Sequence, residues 1–202
     1  MNAGAAIATG QMLLFLHADT QLPAGWPHMV LAATGNDYAC ARHHSLSVTP
    51  TPKPARACAV GGLPHHDHGC IGKPVRAGGF TLGIGASGVV FRVIETLANL
   101  RNALTRTPYG DQAQFFDRAL FHAVGGYPDL PLMEDVEIML RLRKSGEKIA
   151  ILPDRVLTSA RRWEKEGLFR CSARNVLLRT LYACGVSAQT LARWYRPHKE
   201  QI

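Results

Sequence analysis

An uninterrupted apolar run near the start of the chain constrains its fold more than any other feature. Residues 11–16 read QMLLFL, with no alternation of polar and apolar positions after the glutamine. Such a run is typical of a strand that is buried on both faces of a parallel sheet. Before it, the small side chains of residues 1–10, which end in a glycine, predict a helix. A helix followed by a fully buried strand predicts an α/β fold.

Length and composition are those of a folded domain. The chain has 202 residues, 47% of them hydrophobic, enough to bury a core as one domain or as one domain with an insertion. No apolar run approaches the roughly 18–20 residues of a membrane-spanning helix, and no signal peptide is recognisable. The five cysteines form no CxxC pair and predict no disulfide framework. We therefore expect a cytoplasmic protein.

Positive charge is concentrated at the C-terminal end. From residue 155 onwards there are ten Lys or Arg and three Glu, a net +7 out of +8 for the whole chain. This distribution predicts an anionic partner, which could be a diphosphate, a phospholipid surface or nucleic acid. Because no nucleic-acid-binding motif accompanies the charge, we expect no nucleic-acid partner. Contact with anionic phospholipid would place the protein peripherally at the inner face of the membrane.

The periodicity of the remaining chain alternates between strand and helix. Apolar spacing, acidic first turns and glycine stops predict these elements. They are a strand at 78–84, helices at 87–104, 117–126 and 133–146, strands at 148–153 and 156–163, and a basic amphipathic helix at 169–184. One face of this last helix carries Phe169, Ala173, Val176, Leu177, Leu181 and Cys184.

Residues 38–76 interrupt this pattern. Prolines at 50, 52 and 54 exclude a central strand and predict an extended, inserted surface loop that is disordered. The loop holds Cys40, His43, His44, Cys58, His65, His66, His68 and Cys70. Their spacing matches no compact zinc site, so a disordered loop is favoured over ordered zinc or adventitious metal binding.

The polar residues after the first strand form the first candidate site. His17 and Asp19 follow the apolar run directly, where ligands bind at the carboxyl ends of strands in open α/β sheets. An imidazole and a carboxylate two positions apart could share one Mn²⁺ or Mg²⁺ with phosphate oxygens and water. Alternatively, Asp19 caps a turn and His17 is a histidine with ordinary hydrogen bonds.

A pair of acids begins the helix at 133–146. Glu134 and Asp135 suit the positive end of the helix dipole, which is sufficient reason for their presence. Alternatively, one of them is a general base that takes a proton from an attacking hydroxyl.

Two further segments carry side chains suited to sugar and phosphate. Asp111 and Gln112 follow a Pro-Tyr-Gly turn and could bind sugar hydroxyls, although an aspartate is also common in a tight turn. Arg161 and Arg162 could bind a diphosphate while Trp163 stacks on a sugar or base. An exposed basic strand end is the alternative for these three residues.

The order of these motifs resembles the GT-A glycosyltransferases of family 2. The succession is MNAGAAIATG, LLFLHADTQLP, NLRNALTRTPYGDQAQFF, AVGGYPDLPLMEDVEIMLRLRKSG and TSARRWEKEG. It looks closest to a bacterial subgroup associated with radical-SAM and selenoprotein-type domains. The resemblance covers residues 1–37 and about 77–196, and the motifs are specific in combination, though GGY and ED alone are not.

The resemblance implies roles for the acidic residues. Asp19 corresponds to the metal ligand of the family's Asp-x-Asp motif, with His17 in place of the first acid. Asp135 corresponds to the catalytic base that deprotonates the acceptor hydroxyl, and Glu134 precedes it in the substrate-binding segment. The implied reaction moves a sugar from a nucleoside-diphosphate sugar to an acceptor, which could be lipid-linked, with inversion and with Mn²⁺ or Mg²⁺.

The remaining implied contacts concern the substrate. Arg161, Arg162 and Trp163 correspond to an arginine-tryptophan segment near the diphosphate and the acceptor. Asp111 and Gln112 fall in the loop that borders the sugar or acceptor pocket.

The implied fold is a partial GT-A domain, a Rossmann-like and mostly parallel sheet flanked by helices. Residues 1–37 would be the remaining part of the nucleotide-sugar half, and residues 38–76 the inserted loop. Residues 77–163 would form the acceptor and catalytic half, and residues 164–202 the basic C-terminal helices. The family's first β-α-β elements have no counterpart here, so either they are encoded upstream of Met1 or the gene is a remnant. The alternatives are a catalytically inactive remnant or module that binds an anionic membrane or partner, and a related nucleotidyltransferase.

Overall fold

Five strands and eight helices make up the described part of the chain. The computed structural model describes residues 1–35 and 74–195. The strands are β1 Met12–Leu14, β2 Thr20–Gln21, β3 Ala77–Ile84, β4 Phe115–Asp117 and β5 Ile149–Thr158. The helices are α1 Asn2–Ile7, α2 Trp26–Thr34, α3 Val89–Thr105, α4 Arg118–Ala123, α5 Glu134–Lys144, α6 Arg161–Glu166, α7 Leu168–Ala183 and α8 Ala188–Trp194, with a 3-10 turn at Gly110–Gln112.

The strands form one mixed sheet in the order β1-β4-β3-β5-β2. The longest pairing, β3 with β5, is parallel, but the other three are antiparallel. The α/β class is confirmed, whereas the expectation of a mostly parallel sheet is wrong for the described strands. The reversal arises before α3, which runs back along β3, with Glu95 bonded to Ile84 and Asn99 to Leu82. The chain keeps this direction into β4. Parallel pairing would require the chain to return to the other end of β3 before β4 begins.

The strand β1 packs against the core on both faces, although only Leu13 is fully buried. Leu13 and Phe15 pack into one core cluster, which includes Phe116 and Phe121. Met12 and Leu14 pack into the other cluster on the opposite face. In the described sheet β1 nevertheless lies at an edge and pairs antiparallel with β4.

The two strands predicted between residues 148 and 163 are one continuous strand, β5. Its register against β3 shifts between Phe80 and Thr81, where Pro153 and Asp154 bulge out. The Thr81 hydroxyl lies 2.8 and 2.9 Å from their two carbonyl oxygens and so gives the bulged carbonyls a hydrogen-bond donor. The strand ends at Thr158, and residues 161–163 begin α6 instead of continuing it.

The predicted helices form close to their expected bounds, but α3 is oriented with its polar side inward. Glu95 and Asn102 are the buried residues of α3, at 2% and 0% exposure. Asn99 bonds both backbone groups of Leu82, and Glu95 accepts from the amide of Ile84 at 2.5 Å. These side chains satisfy the edge of β3 beyond its short pairing with β4.

Part of the sequence lies outside the described residues. This part contains the predicted disordered loop from residue 38 to residue 73, all eight of its cysteines and histidines, and residues 196–202. Within residues 1–35 and 74–195, none of the helices is long and apolar enough to cross a membrane.

Candidate active site

A cleft opens where the chain leaves the carboxyl ends of β1 and β5. Seven of the nine predicted site residues line it: His17, Asp19, Asp111, Glu134, Asp135, Arg162 and Trp163. The other two, Gln112 and Arg161, do not line it. Side chains that are more than a hundred positions apart in the sequence therefore meet at one surface.

The backbone around Asp19 is joined to the end of β5. Thr20 pairs with Thr158, and the amide of Ser159 donates to the carbonyl of Asp19 at 3.0 Å. The amide of Thr20 donates to the carbonyl of His17 at 3.1 Å and closes the turn between them. This turn places His17 and Asp19 at the carboxyl end of the parallel pair β3 and β5, where α/β proteins bind ligands.

Asp135 faces this turn from the start of α5. Its Oδ2 accepts the Gly110 amide at 2.7 Å, and its Oδ1 accepts the Val136 amide at 2.9 Å. Two backbone donors therefore hold the carboxylate in one orientation. The imidazole of His17 lies against Gly110, with its Nε2 2.5 Å from where a Cβ would stand. Only glycine allows the imidazole and the Asp135 carboxylate to approach this closely.

The residue before the acidic pair has unusual backbone geometry. Met133 has a φ of +66°, in the left-handed region that a non-glycine residue rarely adopts. Its side chain is buried with Leu178 and Leu191, and this packing offsets the backbone cost. The resulting bend lets α5 begin at Glu134, so that both acids lie in its first turn.

Gln114 joins α5 to the core behind the cleft. Its side-chain NH₂ donates to the carbonyl oxygens of Pro108 and Asp135, at 2.7 and 2.9 Å. Its Oε1 accepts the Tyr127 hydroxyl at 2.7 Å. Burial, followed by the nearby Asp135 and Glu134 charges, raises the pKa of Tyr127, which keeps this hydroxyl a donor. The start of α5 is thus held by side chains that do not reach the cleft.

Gln112 has a similar supporting position. It is 1% exposed, and its side-chain oxygen accepts the Tyr109 amide at 2.9 Å and a guanidinium N–H of Arg101 at 3.2 Å. Its NH₂ donates to the carbonyl of Phe80 at 3.2 Å. These bonds occupy the amide that sequence reasoning assigned to a sugar hydroxyl, and they anchor the Gly110–Gln112 turn to β3.

Tyr109 joins α3 to α7 beside the cleft. The guanidinium carbon of Arg101 lies 3.3 Å from the centre of its ring, and that of Arg179 lies 3.7 Å from it. Both distances are within the range of a cation–π contact. Arg179 also lines the cleft, where it adds a second guanidinium to that of Arg162.

The arginine-tryptophan segment lies on α6. Trp163 donates its indole N–H to Ser172 at 3.3 Å and contacts Phe91 edge-on at 6.4 Å between ring centres. Arg161 is exposed, and its amide donates to the Ser159 hydroxyl at 3.2 Å. Only Arg162 and Trp163 of the predicted triplet therefore reach the cleft.

Asp111 places a buried carboxylate oxygen beside the cleft. Its Oδ1 has no hydrogen-bond partner among the described residues. Burial raises the pKa of this carboxyl, and the neighbouring Asp135 adds to the rise, while Arg179, His17 and Arg101 oppose it. Carboxyls whose pKa is perturbed by burial and by specific neighbouring charges cluster at functional sites.

We expect the shift at Asp111 to make stability depend on pH. A carboxyl whose pKa lies above its unfolded value of 3.8 binds its proton more tightly in the folded protein. The stabilisation that comes from this tighter proton binding is present at low pH. It is lost as the pH rises from the pKa of Asp111 in the unfolded chain towards its pKa in the folded protein. The neutral Asp111→Asn variant should therefore gain stability relative to wild type as the pH increases from about 4 to neutrality. Urea unfolding of both proteins across this range measures the difference, and a constant difference would contradict the expectation.

Sequence reasoning missed several residues of the cleft. Tyr109, Asn175, Arg179 and Tyr195 line it, along with the backbone-strained Met133. Tyr109 directly precedes the Gly-Asp-Gln turn, a position that could have identified it. Arg179 is one of several arginines on a basic helix, and no spacing distinguishes it from its neighbours.

The described residues define a mixed α/β protein whose cleft combines carboxylates, an imidazole and guanidinium groups. Within residues 1–35 and 74–195, no three His, Cys, Asp or Glu side chains are grouped closely enough to hold a metal ion by themselves. Comparisons with protein-family models, with curated proteins and with solved structures gave no match. The functional argument therefore depends on the residues of the cleft.

Proposed function

We propose that this chain carries the catalytic site of an inverting, metal-dependent glycosyltransferase of the GT-A type. The substrate would be a nucleoside-diphosphate sugar, and the acceptor a hydroxyl group. The observation that carries the proposal is the meeting of Asp19, Asp135 and Arg162 in one cleft from three separate segments of the chain. This combination provides a carboxylate for the diphosphate side, a carboxylate for the acceptor side and a cation in the same cleft.

We assign the diphosphate side of the reaction to His17 and Asp19 and to two arginines of the cleft. As the bond between the anomeric carbon and the diphosphate breaks, negative charge accumulates on the leaving group and must be neutralised. Arg162 and Arg179 line the cleft and suit this charge, because one guanidinium group can donate two parallel hydrogen bonds to two phosphate oxygens.

The donor atoms of His17 and Asp19 fit a divalent metal that is shared with the substrate. Mg²⁺ is usually held by one or two protein carboxylates together with substrate phosphates and water. Two protein ligands are too few to surround the metal, which agrees with substrate phosphates and water as the remaining ligands. Bound there, Mn²⁺ or Mg²⁺ would supply positive charge to the departing diphosphate.

We assign the acceptor side of the reaction to Asp135. Its carboxylate would take the proton of the acceptor hydroxyl while that oxygen forms the new bond to the anomeric carbon. The bond to the diphosphate breaks on the opposite side, so the configuration inverts. The two backbone donors orient the base before the substrate arrives, which favours catalysis by positioning.

Binding of a nucleoside diphosphate in the presence of Mn²⁺ tests the donor site directly. We expect calorimetry to show Mn²⁺-dependent binding of UDP or another member of a nucleoside-diphosphate panel. The Asp19→Asn variant should weaken it about tenfold or more, because the metal loses a charged ligand. The matched control is Asp129→Asn, the same change at an exposed acid outside the cleft.

Two results would overturn this assignment. One is the absence of nucleoside-diphosphate binding with and without metal, which would favour the non-catalytic module that binds an anionic partner. The other is binding that Asp19→Asn and Asp129→Asn leave equally strong, because Asp19 would then have no part in the site.

A further inference from the structure

The outward face of α3 carries a continuous line of exposed apolar side chains. Val90, Val93, Leu97, Leu100 and Leu104 follow one another at intervals of three and four residues, which places them on one side of a helix. Their exposed fractions range from 43% at Val90 to 75% at Leu104. We refer to these five residues as the α3 stripe. A contiguous apolar surface of this kind usually marks an interaction site.

The orientation of α3 cannot be reversed at low cost. The residues opposite the stripe include Glu95 and Asn102, both buried. Glu95 bonds the Ile84 amide and pairs with Arg92 at 2.9 Å and Arg155 at 3.5 Å. Rotation of the stripe towards the core would break these bonds and leave the edge of β3 without partners. The stripe is therefore a fixed surface of the folded protein.

A second helix beside α3 is built in the same way. On α7, Cys171 and Leu178 are buried, whereas Phe169, Val176 and Leu177 are 82%, 63% and 56% exposed. The two helices are connected through the contacts of Tyr109 with an arginine of each helix. Both helices therefore carry outward apolar residues.

The charges around the stripe select the kind of partner. The only acid of α3 is the buried Glu95, and α7 has no acidic residue. The exposed charges of these two helices and the residue that follows α3 are Arg106, Arg170 and Arg92, of which Arg92 is already paired with Glu95. A second copy docked on the stripe would bring cations against cations, with no opposite charges to pair. An anionic lipid surface complements both the apolar stripe and the cations around it.

We propose that the α3 stripe docks this protein on the interface of a membrane rich in anionic phospholipid. The helix would lie in the plane of the headgroups, with its valines and leucines inserted and Arg106, at its C-terminal end, against lipid phosphates. This orientation is typical of interfacial amphipathic helices, which lie on a bilayer without crossing it. The site of sugar transfer takes no part in the contact, so the two proposals can fail independently.

Vesicle flotation with the full 202-residue chain tests the docking surface. We expect the wild type to float with vesicles of phosphatidylglycerol and phosphatidylcholine, and to float less with phosphatidylcholine alone or at high salt. The double variant Leu97→Glu/Leu100→Glu should lower the vesicle-bound to free ratio by about tenfold or more, since it places two acids in the stripe. The matched control is Ile7→Glu/Leu157→Glu, which adds the same charge at two exposed apolar positions outside α3 and α7 and should bind like wild type.

Circular dichroism and sedimentation velocity complete the experiment. All three proteins should show the same helix content, because every substituted side chain is exposed. Wild type that does not float with anionic vesicles overturns the proposal, and so does equal flotation of the two double variants. A wild-type dimer that only the stripe variant dissociates, without vesicle binding, also overturns it and assigns the stripe to a second copy.

Discussion

The Asp135→Asn variant is expected to lose sugar transfer almost completely, with kcat lowered about 10²–10⁴-fold. Asparagine retains the shape of the side chain but cannot accept the proton of the acceptor hydroxyl. Binding of the nucleoside diphosphate should remain within about twofold of wild type, because Asp135 lies on the acceptor side of the proposed reaction. Release of nucleoside diphosphate from the donor sugar measures the first quantity and calorimetry the second.

A loss of turnover without a loss of nucleoside-diphosphate binding distinguishes a catalytic role of Asp135 from a structural one. Asparagine also replaces one acceptor oxygen by an NH₂ group, and the loss of a backbone hydrogen bond costs about 1 kcal/mol. A thermal melt should therefore show a small decrease that does not unfold the variant at the assay temperature. The Asp129→Asn control should behave like wild type in both assays. Near-normal turnover by Asp135→Asn would remove Asp135 from the role of base.

The Gly78→Ala variant is expected to be among the least stable single substitutions in the sheet. Gly78 pairs with Phe115 on one side and Ala150 on the other. A Cβ there would lie 2.5 Å from the carbonyl oxygen of Ala150 and inside contact distance of the Phe115 ring. The backbone oxygen cannot move without opening the parallel ladder, so we expect a loss of about 3 kcal/mol in the free energy of unfolding.

The matched control is the same substitution where a methyl group meets nothing. Gly4 lies in α1, has no unusual φ, and has no neighbouring atom within 4 Å of the point where a methyl group would stand. Gly4→Ala should raise stability by about 0.5–1 kcal/mol, because alanine is the better helix former. Urea unfolding with an unchanged m-value measures both effects. A Gly78→Ala variant as stable as wild type would contradict the close packing of β3 between its neighbours.

The local elements followed from the sequence more reliably than their arrangement. The acidic first turn and basic last turn of α5 predict that helix, and the apolar run of β1 predicts burial on both faces. Pairing direction is different, because β4 continues the direction in which α3 runs back along β3. No local pattern shows that the chain enters the sheet there without first returning to the other end of β3.

The outward face of α3 shows the limit of amphipathic patterns. Its spacing of valine and leucine is that of a helix with one apolar side, for which burial is the default expectation. The hydrogen bonds of Glu95 and Asn99 to the edge of β3 determine the opposite orientation. These bonds depend on how far β4 extends along β3, a property that is invisible in the sequence of α3 itself.

For the candidate cleft, too, the sequence predicts the residue types, and the tertiary structure decides which of them meet. The residue types at positions 17, 19, 111, 134, 135, 162 and 163 suggest metal, base and phosphate chemistry from the sequence alone, because each stands at a strand end, at a helix start or after a turn. Only the tertiary structure separates those that meet from Gln112 and Arg161, which do not line the cleft, and adds Tyr109 and Arg179. The reason is physical: chemistry and local conformation are properties of neighbouring residues, whereas proximity depends on the packing of segments that are distant in the chain.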